Sequence, residues 1–570
     1  MMSYYIGIDV GTGGVRGALV SHDGKLLKSY THPLHIWQPC CNYYEQSTTD
    51  IWNGVCTCVK NVTKDVDATK VKGIGFDATC SLVVLDSNGA ALTVSPSGTF
   101  VVSYTLTRGQ HGYNSYDTFY SGSDERNVIM WLDHRAEKQM QEINSTKHPI
   151  LRYVGHKISL EMSLTKVLWL KQNLSEKCWN KAGHFMELPD FLTWKATGST
   201  ARSAGCVGPK WLYQTNSWDE SFLREIGLEE LIDDNFAKIG SVVLLPGDAV
   251  CDTGLNKMAA DQLGLLEHTP VATGIIDAHA GGVGCIGCTV FNSPDVNVPL
   301  INRMVLISGT STCHMVVSDK EVPINGVWGP NYSAMISGMW NHEAGQSASG
   351  KLIDHLIETH AAYQKLIDRS KTTGRHIHSE LEEILDDLTK KQALNDVSLL
   401  TRNFHMWPDY HGNRSPISDS TLTGMISGLS LSCDLNDLAV LYLAAIQALA
   451  YGTRHIIETY TDSGYDIRVI YACGGLSKNQ LYIQIHSDIT GLPIVLPDEK
   501  ESVLLGSAIL ASIAAHEYPT MQVAMDTMCG DGHVVRPNRS VRSFHDNKYK
   551  VFRLMLENQQ QYRNIMRDDQ

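Results

Sequence analysis

The sequence predicts an α/β protein built from two large domains, and three observations carry that prediction. At 570 residues the chain exceeds what one hydrophobic core supports. It opens on a β-type run, a glycine-rich turn and a second β-type run: Tyr4-Tyr5-Ile6-Gly7-Ile8-Asp9-Val10-Gly11-Thr12-Gly13-Gly14-Val15-Arg16-Gly17-Ala18-Leu19-Val20. The pattern returns in the second half, where an apolar run from Met304 meets a Gly309-Thr310-Ser311 turn and a second apolar run ending at Val317.

The opening turn lacks the Gly-Lys-Ser/Thr ending of a P-loop. Its glycines also lead into a strand, not into the helix that a dinucleotide fingerprint requires. What remains is a hairpin in which the N–H groups of Thr12, Gly13 and Gly14 form an anion-sized nest. Asp9 precedes it, where a carboxylate is placed to hold the magnesium that travels with nucleotide phosphates. Taken alone, an ordinary glycine hairpin would look the same. The repeat at residues 304–317 favours the phosphate reading, with two hairpins gripping one nucleotide from both sides.

Composition narrows the function. Apolar residues make up 43% and charged residues 19% of the chain, a globular balance. A net charge of −14 argues against nucleic acid or an anionic membrane as the main partner. No signal peptide is visible, and the longest apolar run, near residues 503–515, is too short to span a bilayer. Fourteen cysteines, most of them inside apolar runs such as Cys80, Cys313 and Cys473, read as small buried residues in a reducing cytosol. Cys285-Ile-Gly-Cys288 has metal spacing but no second ligand pair.

In chain order, residues 44–52 read as a helix start with Thr48 or Asp50 as cap. Residues 71–86 read as two strands flanking Asp77-Ala78-Thr79-Cys80-Ser81, a polar cluster suited to a strand end lining a pocket or to a turn. Residues 99–123, rich in Gly, Ser, Thr and Tyr, read as a surface insertion with an edge strand at residues 101–106. A strand at residues 127–132 is expected to run into a helix after Asp133, with Asp133 as its N-cap and Arg135 as a surface charge. Lys210 lies beside Trp211 and Tyr213, positioned to snorkel along them or to reach a sugar hydroxyl. Asp277 ends an apolar strand and starts a small-residue helix, where α/β domains bind ligands and where an N-cap aspartate also sits. His279 beside it reads as structural.

In the second half, a helix follows Gly350, and a charged helix with one apolar face covers residues 369–396. Residues 422–428 form a glycine-bounded turn. A long core helix from Leu435 to Tyr460 stops at Asp462-Ser463-Gly464. The strand Val469 to Cys473 feeds Gly474-Gly475-Leu476-Ser477-Lys478-Asn479, whose glycines open a helix suited to a ligand's polar edge. A helix near residues 503–516, rich in Ala, Ser and Gly, must pack close to something, and the polar tail after Asp546 reads as one helix.

Together these motifs resemble the FGGY carbohydrate kinases of the actin, hexokinase and Hsp70 superfamily. Five of them stand in family order: Gly7-Ile8-Asp9-Val10-Gly11-Thr12, Trp131-Leu132-Asp133-His134-Arg135, Ile276-Asp277-Ala278-His279-Ala280, Gly309-Thr310-Ser311, and Gly474 to Asn479. Thr79-Cys80-Ser81-Leu82-Val83 is similar to the signature of the D-ribulose kinase branch. The resemblance implies two ribonuclease-H-like lobes with a nucleotide cleft between them. The first, at 1–285, would be mainly for sugar and the second, at 286–570, mainly for ATP.

By the same resemblance, Asp277 matches the catalytic aspartate that takes the proton of the sugar's terminal hydroxyl. Asp9 would position Mg2+. Thr12, Gly13, Gly14, Gly309 and Thr310 would hold phosphates, with Arg16 as a weaker phosphate contact. Gly474, Gly475 and Asn479, with Gly424 nearby, would surround the adenosine. Cys80, Lys210 and Glu343 fall where related ribulokinases touch their sugar. The 99–123 insertion departs from the family, as a solvent loop, a lid, or sequence that splicing normally removes. The expected activity is ATP-dependent phosphorylation of D-ribulose to D-ribulose 5-phosphate. The alternatives are another pentulose or pentitol as substrate, or a catalytically idle nucleotide-binding protein on the same fold.

Overall fold

The computed structural model describes residues 3–96, 101–109, 112–115, 118–120, 126–214 and 216–567. The chain is mixed α/β and forms two compact units. The first comprises residues 1–289, 317–342 and 497–531, and the second residues 290–316, 343–496 and 532–570. Two stretches from the second half of the sequence therefore pack with the first unit, so compactness does not follow a single cut at 285/286.

The first unit is organised on a five-stranded sheet in the order Ile275–Ile276, Val71–Ala78, Tyr4–Gly11, Gly14–Ser21, Leu26–Pro33. The opening hairpin pairs antiparallel from Tyr4↔Ser21 to Gly11↔Gly14, leaving Thr12 and Gly13 as its two-residue turn. Tyr4–Gly11 pairs parallel with Val71–Ala78, which in turn pairs parallel with Ile275–Ile276. Strand ends of one sense therefore meet along one edge, the place where open α/β sheets bind ligands.

The small-residue helix Ser502–Ala514 lies across this sheet, and the glycines explain how closely. A Cβ on Gly7 would run into the Leu504 carbonyl, and one on Gly75 into the Ser507 carbonyl. The helix that starts at Asp277, Asp277–Ile286, crosses it by the same device, with Gly284 against the Ser502 carbonyl and Gly506 against the Ala280 carbonyl. Helix backbone thus rests on strand backbone and on a second helix with no side chain between, which fixes the start of the Asp277 helix relative to the sheet.

A second sheet in this unit contains Leu82–Asp86, Val128–Ile129 and Ala182–Glu187. Val101–Gly109 joins it at one side, in register with His35–Gln38, and forms a hairpin with Gly112–Ser115. The strand expected at 101–106 is present and longer; both ends of the 99–123 insertion lie outside the described residues.

Three local expectations are corrected. The helix Thr48–Thr63 has Ser47 at its N-cap with no side-chain cap bond, because Thr48 bonds Asn127 and Asp50 accepts the His35 N–H at 2.9 Å. The strand near 127–132 is only Val128–Ile129, and the next helix, Glu137–Thr146, has Ala136 at its N-cap. Asp133 and Arg135 are instead a buried ion pair, joined by Glu45, with Asp133 also accepting the Tyr44 N–H at 2.6 Å.

In the second unit, the central strands run Trp340–Gln346, Thr312–Ser318, Arg303–Ser308, Val469–Cys473, Ile494–Pro497. The Arg303–Ser308 and Thr312–Ser318 strands form the repeated hairpin, and Val469–Cys473 adds in parallel. This is the strand order of the first unit again. The charged 369–396 segment is two helices, Tyr363–Thr373 and Ile377–Lys391, split at Gly374 with φ +71°. Leu435–Asp462 is long and apolar enough to cross a bilayer, yet 72% of its apolar 18-residue window is buried within the protein, as in a core helix. Arg542–Arg567 forms the terminal helix, beginning slightly before Asp546.

Candidate active site

The register of the first sheet assembles a row of charged side chains. Asp9 pairs with Arg16 on its antiparallel neighbour and with Asp77 on its parallel one. Paired residues point to the same face of a sheet, so the three side chains stand together. Arg16 Nε donates to Asp9 Oδ2 at 2.7 Å, and Nη1 donates to Glu501 Oε2 at 2.7 Å. The Asp9 charge is the main reason the guanidinium is held even more firmly protonated than usual.

Asp77 is fully buried and accepts the Ser507 hydroxyl at 2.5 Å. Burial first, and the neighbouring Asp9 charge second, raise its carboxyl well above the ordinary range, so it keeps its proton. Asp77 also faces Ile275 across the parallel pairing, two residues before Asp277. Asp277 is not an N-cap, since Ile276 occupies that position. Its Oδ1 accepts the Ala278 N–H at 2.7 Å, which orients a partly exposed carboxylate at the sheet edge.

The turn of the opening hairpin is tied down from two directions. The Thr12 carbonyl accepts from Gln46 Nε2 at 3.1 Å, and the Thr12 hydroxyl accepts from Trp131 Nε1 at 3.0 Å. Leu34 N–H donates to the Gly13 carbonyl at 3.1 Å. Gly14 has no room for a side chain, because a Cβ would meet the His32 carbonyl at 2.8 Å.

Trp131 also packs on Cys80, Cys206 and Ile276, so one indole joins the hairpin turn to the proposed sugar side. Burial pushes the Cys80 thiol up to about 12 against the opposing charge of Lys210, leaving it a neutral, weak hydrogen-bonding group. Lys210 does not snorkel outward. It is 2% exposed on the helix Ala204–Trp211, with Nζ 4.7 Å from the centre of the Trp328 ring. Behind it, Glu187 accepts the Ser163 hydroxyl and the Trp211 indole N–H, the latter at 2.8 Å. Lys166, its pKa lowered by burial, donates to the Met130 carbonyl at 2.8 Å, immediately before Trp131.

The second unit gathers a separate set. Ser308 ends one strand and Gly474 follows its parallel neighbour, where a Cβ on Gly474 (φ +94°) would lie 2.5 Å from the Ser308 carbonyl. This closeness puts the Gly309-Thr310 turn beside the Gly474–Asn479 loop. The carbonyls of Gly309 and Thr310 accept from the first N–H groups of the helix Gly350–Glu358, at 3.0 Å from Gly350 and 3.2 Å from Lys351. After Gly475–Lys478, a short 3-10 turn, Asn479 caps the helix Gln480–Thr490 by accepting the Tyr482 N–H at 2.8 Å. The loop glycines therefore open a 3-10 turn, and Asn479 opens the α-helix.

Gly424 belongs to the same unit. It faces the ring of Tyr410, which a Cβ would strike, and Tyr410 in turn contacts His355. Glu343 is buried and ion-paired with Arg414, with Cys313 Sγ 3.6 Å away. His279 is structural as expected, its Nδ1 within 3.1 Å of the Ala334 carbonyl. Cys285 and Cys288 are free thiols, and among the described residues no group of three or more His, Cys, Asp or Glu is arranged to hold a metal.

Sequence reasoning missed Asp77, Trp131, Glu187 and Arg414. Asp77 and Trp131 lay inside motifs that were singled out, but their roles depend on cross-strand neighbours that a linear pattern does not carry.

Comparison with known proteins identifies the family. The N-terminal domain of the FGGY family of carbohydrate kinases matches residues 4–95 and 123–284, and the C-terminal domain of the same family matches residues 304–515. The chain is 47% identical to the FGGY carbohydrate kinase domain-containing protein of Homo sapiens, over 99% of this chain and 98% of that one. It is 37% identical to a D-ribulokinase of Saccharomyces cerevisiae, over 90% of this chain and 72% of that one. Its fold is similar to that of a ligand-bound xylulose kinase from Lactobacillus acidophilus, with a TM-score of 0.74 at 17% identity and 98% of each chain covered. With matched segments that take in both hairpins, Asp77, Asp277 and the Gly474–Asn479 loop, the chain belongs to the FGGY family of carbohydrate kinases, enzymes that use ATP to phosphorylate sugars.

Proposed function

We propose that this enzyme phosphorylates the terminal hydroxyl of a ketopentose, D-ribulose, giving D-ribulose 5-phosphate and ADP. The observation that carries the reading is the carboxylate of Asp277 at the same sheet edge as Asp9, Arg16 and the Thr12–Gly13 turn. The similarity to a yeast D-ribulokinase supports the choice of sugar.

Asp277 is the base. As the sugar oxygen bonds to the γ-phosphorus and the bond to the β–γ bridging oxygen breaks, Asp277 takes the hydroxyl proton and ADP leaves. A carboxylate suffices as base when proton transfer is late and positioning does most of the work. Lys210, Cys80 and Trp131 hold the sugar, while Glu343 is a further sugar contact. The turn N–H groups and Arg16 receive phosphate oxygens. Gly309, Thr310, Gly474, Gly475 and Asn479 hold the nucleotide.

The residues fit magnesium as a passenger of the nucleotide and not as a resident of a protein cage. Magnesium takes one or two carboxylates and completes its shell with water and phosphate, and Asp9 is a single buried carboxylate beside the phosphate turn. The ion would neutralise charge on the phosphates.

The test is ADP release across a panel of ketopentoses and pentitols, with Asp277→Asn as control. Sugar-dependent ADP that is highest with D-ribulose and at least a hundredfold lower in the variant is expected. Preference for a different sugar would correct the substrate, and equal turnover by the variant would remove Asp277 as the base.

A further inference from the structure

Arg16 is gripped by two carboxylates and not by one. Its Nε and Nη2 both face Asp9 Oδ2, the former at 2.7 Å, and its Nη1 donates to Glu501 Oε2 at 2.7 Å. A guanidinium is planar and carries five N–H donors. Asp9 takes the edge formed by Nε and Nη2, and a contact at one edge leaves the plane free to swing about it. The bond from Nη1 to Glu501 removes that freedom. Nη1 and Nη2 each keep a second N–H, and the side chain is 38% exposed, so a ligand oxygen can reach them.

Glu501 is a firm anchor for this bond. It occupies the N-cap position of the helix Ser502–Ala514, its carbonyl accepts the Leu505 N–H at 3.0 Å, and its own N–H donates to Glu499 Oε1 at 2.9 Å. Lys500 ties the preceding loop to the Pro497 carbonyl at 2.9 Å. The helix rests by its backbone on Gly7, in the strand that carries Asp9, and on Gly284, in the helix that begins at Asp277. One rigid element therefore sets the Glu501 carboxylate in the same frame as Asp9 and Asp277.

Stability does not account for the pair. The Glu501 side chain is 31% exposed, and an ion pair open to water at both partners adds little to folding. A carboxylate beside a phosphate site also repels the ligand, so Glu501 is unfavourable there except through what it does for Arg16.

We propose that Glu501 is a positioning residue for the nucleotide phosphates: it fixes the plane of Arg16 so that the remaining Nη donors meet phosphate oxygens together with the Thr12–Gly13 turn. The proposal rests on reading Arg16 and that turn as phosphate contacts, and is independent of which sugar is phosphorylated.

The experiment is calorimetric titration of the full-length chain, without sugar, using ATP with magnesium and, separately, adenosine. Glu501→Ala is expected to bind ATP about tenfold more weakly and adenosine as the wild type does, because the change is confined to the phosphate end. Its thermal midpoint is expected to match the wild type. Glu501→Gln, which keeps an acceptor for Nη1, is expected to recover most of the lost ATP affinity. Arg16→Ala is expected to weaken ATP by about tenfold or more, and adding Glu501→Ala to it to bring no further loss, since a residue that acts through Arg16 has no effect once Arg16 is gone. Should the alanine variant fail to fold, Glu501→Asp, which withdraws the carboxylate by one methylene, is titrated in its place and judged by the same outcomes.

Unchanged ATP binding in Glu501→Ala, with Arg16→Ala weakened, overturns the role of Glu501 alone. An equal loss for ATP and adenosine, a glutamine variant as weak as the alanine one, or a loss that persists in the Arg16→Ala background does the same. Unchanged ATP binding in Arg16→Ala overturns the phosphate reading of Arg16, and the proposal with it.

Discussion

Asp77 stands in register with Asp9 on adjacent parallel strands, so two carboxyl groups share one face of the sheet with Arg16 beyond them. Two like charges at such a separation do not both ionise cheaply, and Asp77, the fully buried one, retains the proton. A neutral Asp77 is closely imitated by asparagine, which keeps an acceptor for Ser507 and a donor toward Asp9.

Asp77→Asn is therefore expected to retain kcat/KM within about threefold, whereas Asp77→Ala leaves the Ser507 hydroxyl without its acceptor and costs about 1–3 kcal/mol of stability. Steady-state kinetics and urea unfolding of both variants check this. A large rate loss in the asparagine variant would show that the ionised form of Asp77 works in the reaction.

The close seat of Ser502–Ala514 gives a second prediction, independent of any ligand. Gly75→Ala would place a methyl group inside the Ser507 carbonyl, and backbone cannot swing aside as a flexible side chain does. Overpacking of this kind costs typically about 1–3 kcal/mol and here belongs at or above the upper end. Gly198→Ala is the control for added bulk alone: a Cβ there meets nothing within 4 Å, although φ +88° adds backbone strain. The urea midpoint of Gly75→Ala should fall clearly below that of Gly198→Ala.

How far the sequence revealed this arrangement depends on the range of each interaction. Both hairpins were legible because a strand, a glycine turn and a strand are written within some twenty consecutive residues. The small-residue composition of 503–516 announced close packing, but its seat on Gly7, Gly73 and Gly75 joins residues more than 400 positions apart and no local pattern records it. Asp133 and Arg135 were misread for the same reason. As a dipeptide neighbourhood they look like a cap and a surface charge, and only Glu45, on the strand Glu45–Gln46 that pairs with Val128–Ile129, turns them into a buried network. The reason for a glycine at position 424 is likewise out of reach of the sequence, since the ring of Tyr410 fills the space a side chain would need. Charge at a strand end was readable; which strand lay next to it was not.

Asp190 supplies a pH dependence of stability with a definite sign. Its carboxyl is buried in the first unit, accepts the Ser203 N–H at 2.8 Å, and is pushed up to about 7 by burial against the opposing charge of Arg202. The unfolded chain releases this proton near pH 4, so between about pH 4 and 7 the native state binds the extra proton. Stability from this group is complete below pH 4 and is lost as pH rises toward 7. Asp190→Asn, which cannot ionise, should flatten the fall of the urea midpoint across that window, and an unchanged slope would contradict the assignment.

The last prediction concerns the 99–123 insertion, which the family's N-terminal domain leaves unmatched between residues 95 and 123. Its strand Val101–Gly109 covers one edge of His35–Gln38, in register from His35↔Thr105 to Gln38↔Val102. The groups read as catalytic, Asp9, Asp277 and the Thr12–Gly13 turn, are held by other contacts: Arg16, Ala278, Gln46 and Trp131. Replacing residues 97–122 with a short Gly/Ser linker should therefore leave the sugar-dependent rate within about threefold. The same deletion uncovers the backbone of His35–Gln38, and an open strand edge invites pairing with another chain. Light scattering should accordingly show concentration-dependent association of the deleted protein that the full chain lacks. A sugar-dependent rate abolished in a variant that still folds cooperatively would show that the insertion takes part in catalysis, whereas retained activity with new self-association would identify it as an edge cover.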